Sequence, residues 1–177
     1  MRVIGGQLKG IRLSPPTNLP VRPTTDLAKE ALFNILQNRL NWKDTEALDL
    51  FSGTGNITIE LASRGVKKVI AVDQHPKCCS FIKEQKIKHG LMAIEIVRAD
   101  VLKYIPQCKQ SFDFIFADPP YDLPQLTRIP DLIFQNELLN EGGILVLEHP
   151  TTRKIEQHPH FIEQRKYGYS SFSIFQL

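Results

Sequence analysis

Strand-like apolar runs and helix-like stretches alternate through the middle of the chain, and this alternation predicts an α/β sheet of largely parallel strands. Residues 47–51 read as the first strand and 57–63 as its helix. Residues 69–73 follow as the second strand, and a helix then runs from Pro76 to about His89, where Gly90 ends it. The third, fourth and fifth strands fall at residues 94–97, 112–117 and 143–148, the last after a Gly-Gly turn. Residues 161–167 and 171–177 read as a closing hairpin turned at Gly168, which brings the sheet to seven strands.

Two elements precede the sheet. A glycine-punctuated, hairpin-like stretch runs through Leu13, and a helix is expected from about Asp26 to Leu40. That helix is capped by Thr24 or Thr25 and sets Leu27, Ala31, Leu32, Ile35, Leu36 and Leu40 at helical spacing. Residues 14–23 are the only linker-like segment. The chain therefore reads as one domain over 1–177, with an extension (1–23), a helix (24–40) and a core (45–177).

Composition adds limits. The 177 residues suffice for one sizeable core, and 42% hydrophobic with 23% charged residues is the balance of a soluble globular protein. The first twenty residues hold no apolar signal core and no run approaches a membrane span, so a cytoplasmic location is expected. Cys78, Cys79 and Cys108 form no Cys-x-x-Cys pair, which fits a reducing compartment, and no zinc site is visible. Cys78 and Cys79 fall in a helix and read as packing residues, and His158-Pro159-His160 reads as ordinary surface rather than a metal site. The net charge of +3 says little, but its distribution says more. No acid precedes Asp26, whereas Arg2, Lys9, Arg12 and Arg22 do, and a second basic cluster, Arg153-Lys154 with Arg165-Lys166, lies near the other end.

Ligands of such sheets sit outside the carboxyl ends of the strands, so the strand ends carry the chemistry. The first strand ends in Asp49-Leu50-Phe51-Ser52-Gly53-Thr54-Gly55, whose two glycines allow a sharp turn and close approach to a ligand. Thr58 stands where a dinucleotide fingerprint would place its third glycine, which weakens a nicotinamide or flavin reading. Asp73, eighteen residues past Gly55, suits a carboxylate that accepts ribose hydroxyls, and Asp100 ends the third strand where it could receive an adenine amine. Each acid alone is equally explained as a helix cap. Four successive strands ending in such groups, with Asp118 after the fourth, point instead to a cofactor with ribose and adenine but no phosphate, a description met by S-adenosylmethionine.

The fourth strand runs into Asp118-Pro119-Pro120-Tyr121. The prolines cannot continue the ladder and leave carbonyl acceptors, Asp118 adds a carboxylate and Tyr121 a face for stacking. Together they suit a flat ring bearing an exocyclic amine.

Glycine loop, acidic strand end and Asp-Pro-Pro-Tyr in this order resemble a Rossmann-like class I S-adenosylmethionine-dependent methyltransferase with helices on both faces of its sheet. Arg2-Val3-Ile4-Gly5-Gly6, residues 10–13, Arg22-Pro23-Thr24-Thr25-Asp26, Glu30-Ala31-Leu32-Phe33-Asn34 and residues 48–55 are similar to the bacterial 16S ribosomal RNA guanine-N2 methyltransferase family, which modifies guanine 966. The resemblance implies a cofactor site at Asp49, Phe51, Ser52, Gly53, Thr54, Gly55, Asp73 and Asp100, and a target-amine site at Asp118, Pro119, Pro120 and Tyr121. Because a sulfonium methyl is already electrophilic, direct in-line displacement without a metal is expected, on small-subunit rRNA or the assembled 30S subunit, by a monomer. Arg2, Lys9, Arg12 and Arg22 are expected to contact RNA phosphates, with the alternative that Arg22 and Thr24 fold over the cofactor pocket. An adenine-N6 DNA methyltransferase and a catalytically idle RNA-binding assembly factor remain open as other readings.

Overall fold

In the computed structural model, which describes every residue except Pro23 and Glu156, the central strands are apolar along their length because both their faces are covered. Strands β1 (Glu46–Leu50), β2 (Lys68–Asp73), β3 (Ile94–Arg98), β4 (Phe112–Ala117) and β5 (Leu139–Pro150) pair in parallel. The last two, β6 (Phe161–Tyr167) and β7 (Ser170–Gln176), form the expected hairpin, and β7 pairs antiparallel with β5. The sheet has seven strands in the order β3-β2-β1-β4-β5-β7-β6. Pro23, part of the Arg-Pro-Thr-Thr-Asp motif and the end of the expected extension, lies outside the described residues.

Alternate side chains along each strand enter two separate cores. Ala47, Val69, Phe114 and Phe116 pack under α1 (Asp26–Leu36), α2 (Asn56–Ser63) and α3 (Pro76–His89). Leu48, Ile70, Val72 and Ile115 pack under α4 (Val101–Gln107) and α5 (Ile129–Gln135). These last two helices were not expected from the sequence. Each has seven residues and contains a proline, too short a stretch to display a helical period.

Three boundaries differ from expectation. Helix α1 ends at Leu36 rather than near Leu40, because Asn38 donates its side-chain amide to the Asn34 carbonyl while its own N–H turns to Ile35, so the chain tightens out of the α-helix. Strand β5 begins at Leu139, before Gly142-Gly143, and absorbs the glycines in a register shift against β4 instead of turning at them. The N-terminal stretch makes a single antiparallel bridge, Arg2 to Arg12, rather than a ladder.

That stretch is held by α2 instead. Ile4 and Gly5 donate their N–H groups to the Glu60 carboxylate at 2.9 and 2.8 Å, and Gln7 donates to the Ser63 carbonyl at 2.8 Å. Gly6 makes this contact possible: a Cβ there would lie 1.9 Å from the Ser63 oxygen. Beneath it, the buried Lys29 ammonium lies 3.2 Å from Glu60 and donates to Asn56 Oδ1 at 2.9 Å and to the Arg2 carbonyl. Arg64 Nε donates to the other Glu60 oxygen at 2.9 Å.

Candidate active site at the strand ends

The carboxyl ends of β1, β2 and β4 open on one cavity of about 360 Å³ that runs from Asp73 and Asp100 to Asp118, Pro119 and Pro120. Its floor is the loop between β1 and α2. Phe51, Gly53 and Gly55 all have positive φ there, and a Cβ on Gly55 would stand 2.8 Å from Ile82, so glycine is required both by conformation and by contact with α3. The Gly53 N–H donates to Asp73 Oδ2 at 2.8 Å and the His75 N–H to Oδ1 at 2.8 Å. Asp73 thus ties the loop to the end of β2, and each oxygen keeps a further lone pair for a hydroxyl.

Asp100 caps α4 by accepting the Leu102 N–H at 2.9 Å, so it is a cap and also a lining residue of the cavity. Asp49 is buried and accepts the Thr58 hydroxyl at 2.6 Å, and burial pushes its carboxyl up to about 7. Thr58, the residue that breaks the dinucleotide fingerprint, is therefore the partner of this acid. Ser52, also on the cavity wall, has a buried hydroxyl without a hydrogen-bond partner. Acceptors at Asp73 and Asp100, an unspent donor at Ser52 and glycines that admit close approach fit a ribose and adenine; the only cations lining this cavity that are described are Arg22 and, when protonated, His75, which is not a polyphosphate cradle.

The second half of the site is built around Asp118. Its N–H donates to the Leu50 carbonyl at 3.2 Å, which fixes the loop to the end of β1. Arg22 Nη2 donates to Asp118 Oδ1 at 3.2 Å and to Glu148 Oε2 at 3.2 Å, and the guanidinium lies over the Tyr121 ring, 3.5 Å from its centroid. The Thr24 hydroxyl donates to the other Glu148 oxygen at 3.1 Å. Burial first, then the charge of Glu148 and a hydrogen bond between the two carboxyls, hold Asp118 well above the usual carboxylate range, while Arg22 pulls it back down.

Two details of this loop depart from expectation. The Pro120 carbonyl already accepts the Leu123 N–H at 3.0 Å, so of the two proline carbonyls that of Pro119, a buried residue of the cavity wall, keeps more of its acceptor capacity for a ligand. Tyr121 has its ring covered by Arg22 and its hydroxyl bonded to Ser170. Arg153 braces the segment by donating to the Tyr121, Leu123 and Pro124 carbonyls, each at 3.4 Å.

The basic residues of the extension part company. Arg22 enters the site, Arg2 lies 3.6 Å from Asp26, and Lys9 and Arg12 stay exposed. Arg165 pairs with Glu163 rather than joining Arg153. His160 stacks on Phe134 and His158 lies tilted against it, and Cys78 is a buried residue of α3. No group of His, Cys, Asp or Glu able to hold a metal occurs among the described residues, and no helix there is long and apolar enough to cross a membrane.

Sequence reasoning missed Glu148. It ends the apolar run of the fifth strand, and the same question asked of the first four strand ends would have found it.

A sheet of this order with its ligand cavity at the strand ends defines a class I S-adenosylmethionine-dependent methyltransferase, and the solved structure of the Thermus thermophilus protein TTHA0928 superposes on it with a TM-score of 0.87, at 28% identity, over 100% of this chain and 99% of that one. The family model described as Conserved hypothetical protein 95 matches residues 1–176, and the chain belongs to that family. It is 29% identical to the Ribosomal RNA small subunit methyltransferase D of Buchnera aphidicola subsp. Baizongia pistaciae, over 86% of this chain and 77% of the relative. It is 34% identical to the Bacillus subtilis protein YlbH, over 84% of this chain and 82% of the relative. The family resemblance drawn from the sequence is borne out, and S-adenosylmethionine is the cofactor of this class.

Proposed function

We propose that this chain transfers the methyl group of S-adenosylmethionine to the exocyclic N2 amine of a guanine in small-subunit ribosomal RNA, guanine 966, and that it does so as a cytoplasmic monomer acting on that RNA, free or in the assembled 30S subunit. The coarser statement, an S-adenosylmethionine-dependent rRNA methyltransferase, is supported by the relatives' names. The observation that carries the finer reading is the single cavity that joins the cofactor-type acceptors Asp73 and Asp100 to Asp118 and Pro119.

When bound, the cofactor supplies an electrophilic methyl on a sulfonium, so the protein has mainly to place the amine nitrogen in line with it. Asp73, Asp100 and Ser52 would hold the ribose and adenine. Asp118 and the Pro119 carbonyl would accept the two amine hydrogens, which turns the nitrogen lone pair toward the methyl. The methylated amine must shed one proton, and Asp118, whose proton affinity is already raised, is placed to take it. Tyr121 would stack on the flipped base once Arg22 moves aside, a contact worth about 1–3 kcal/mol. Lys9 and Arg12, exposed on the extension, would contact phosphates together with Arg2 and Arg22.

The test is transfer of labelled methyl to small subunits lacking the modification, beside naked DNA. Label in N2-methylguanine, reduced by about 100-fold or more in Asp118→Ala, is expected. Label in DNA adenine would refute the reading in favour of an adenine-N6 enzyme, and no transfer despite cofactor binding would refute it in favour of an assembly factor.

A further inference from the structure

Arg22 does more than close the cavity. Its guanidinium is a flat, N–H-bearing group that lies on Tyr121 and presents one NH2 to two carboxylates at once, Asp118 at 3.2 Å and Glu148 at 3.2 Å. These are the contacts that a flipped base with an amine would need. Guanine contains the same fragment: N1–H, C2 and the N2 amine form a guanidine within the ring, with donors side by side on its Watson–Crick edge. Adenine sets its amine beside an N1 lone pair instead.

Glu148 is built to tell them apart. Its side chain is 2% exposed, one oxygen is held by the Thr24 hydroxyl, and the other faces Arg22 next to Asp118. Asp118 and Asp73 serve the reaction and the cofactor, but nothing in methyl transfer itself calls for a second buried carboxylate at the amine. An acceptor fixed there rewards a hydrogen on N1 and repels a lone pair. Arg22, with its side chain 46% exposed, is free to swing toward solvent and leave its place to the base.

We propose that Asp118 and Glu148 form a receptor for the N2–H2 and N1–H donors of guanine, that Glu148 reads N1–H and thereby sets guanine over adenine, and that the Arg22 guanidinium fills this receptor until the base displaces it. The proposal rests on the guanine-N2 reading and names the residue behind its specificity.

The test compares initial methylation rates on reconstituted small subunits carrying either guanine or 2-aminopurine at the acceptor position, for the wild type and Glu148→Gln. 2-Aminopurine keeps the N2 amine and replaces N1–H with a lone pair. The wild type should favour guanine by about 30-fold or more, and Glu148→Gln, whose amide can donate to N1, should narrow that ratio by about tenfold. Both rates falling together with the ratio unchanged would overturn the proposal by showing a merely structural role. Arg22→Ala supplies a second readout independent of Glu148. With S-adenosylhomocysteine present, its vacated receptor should bind methylguanidinium in competition with guanosine by calorimetry, and absence of that binding would overturn the proposal. Label arriving in adenine, with neither guanine nor 2-aminopurine methylated by the wild type, would instead overturn the guanine-N2 reading and this proposal with it.

Discussion

Replacing Lys29 should expose how much of this fold hangs on a buried ion pair. The Lys29 and Glu60 side chains are 1% and 0% exposed, so neither charge has water to fall back on. Lys29→Met leaves the Glu60 carboxylate with Arg64 and the Ile4 and Gly5 N–H groups, three donors at 2.8–2.9 Å, so the loss should lie at the low end of the range for breaking a buried pair, about 3 kcal/mol. Glu60→Gln leaves a buried ammonium with only neutral acceptors and should cost about 5 kcal/mol near neutral pH. The two variants should also differ in pH dependence. Burial holds Lys29 below its ordinary 10.5, and losing Glu60 lowers it further. The unfolded chain then binds a proton that the folded variant does not, so Glu60→Gln regains stability as pH climbs toward 10.5. Lys29→Met has no such group and should not recover. Urea unfolding of both variants and of Lys29→Met/Glu60→Gln, at about pH 7 and about pH 9.5, provides the assay. The double variant should fall short of the sum of the singles by about 2 kcal/mol or more. A cost for Lys29→Met below about 1 kcal/mol, additive effects, or a Glu60→Gln deficit unchanged with pH would refute the reasoning.

Asp49 makes a second stability prediction: its carboxyl is protonated in the fold up to about 7 but ionises near 4 when unfolded, so wild-type stability falls as pH rises between those values. Asp49→Asn removes that loss, and its stability relative to wild type should climb across the same window by an amount approaching about 4 kcal/mol, read by thermal unfolding at several pH values. Gly55→Ala must hold an alanine at φ 85° with its Cβ 2.8 Å from Ile82, and should lower stability by about 1–3 kcal/mol and weaken S-adenosylmethionine binding in calorimetry. For activity, Asp118 must be ionised to accept hydrogens, so kcat/KM should rise with pH through a range above the usual carboxylate one. Because Arg22 holds Asp118 down, Arg22→Gln should move that rise to higher pH, and a shift to lower pH would count against the assignment.

The central strands were legible because burial on both faces writes them as uninterrupted apolar runs, such as Phe112–Ala117. Asp73 and Asp118 were legible because each ends such a run. Glu148 ends such a run too and was passed over; what the sequence did not show is its partner, since only the pairing of β5 beside β4 brings it to Asp118, 30 residues earlier in the chain. Arg22 was expected either on RNA phosphates or, with Thr24, over the cofactor pocket, and both residues line the cavity; its contact with Asp118 closes a separation of 96 residues that no local pattern encodes. Lys29, between Ala28 and Glu30 on an amphipathic helix, reads as surface; it is buried because the extension crosses over it through Arg2 and Ile4. Helices α4 and α5 were silent because each has only seven residues, too few for a period to show, and Pro106 also falls inside α4.

The central claim is methylation of one guanine, and nucleoside mass spectrometry of small-subunit rRNA from cells lacking this protein tests it most directly. The account predicts the loss of one N2-methylguanosine, mapped to position 966, its return when the wild-type protein is supplied, and no return with Asp118→Ala. An unchanged N2-methylguanosine content, or the loss of a methylated adenine in its place, would contradict it.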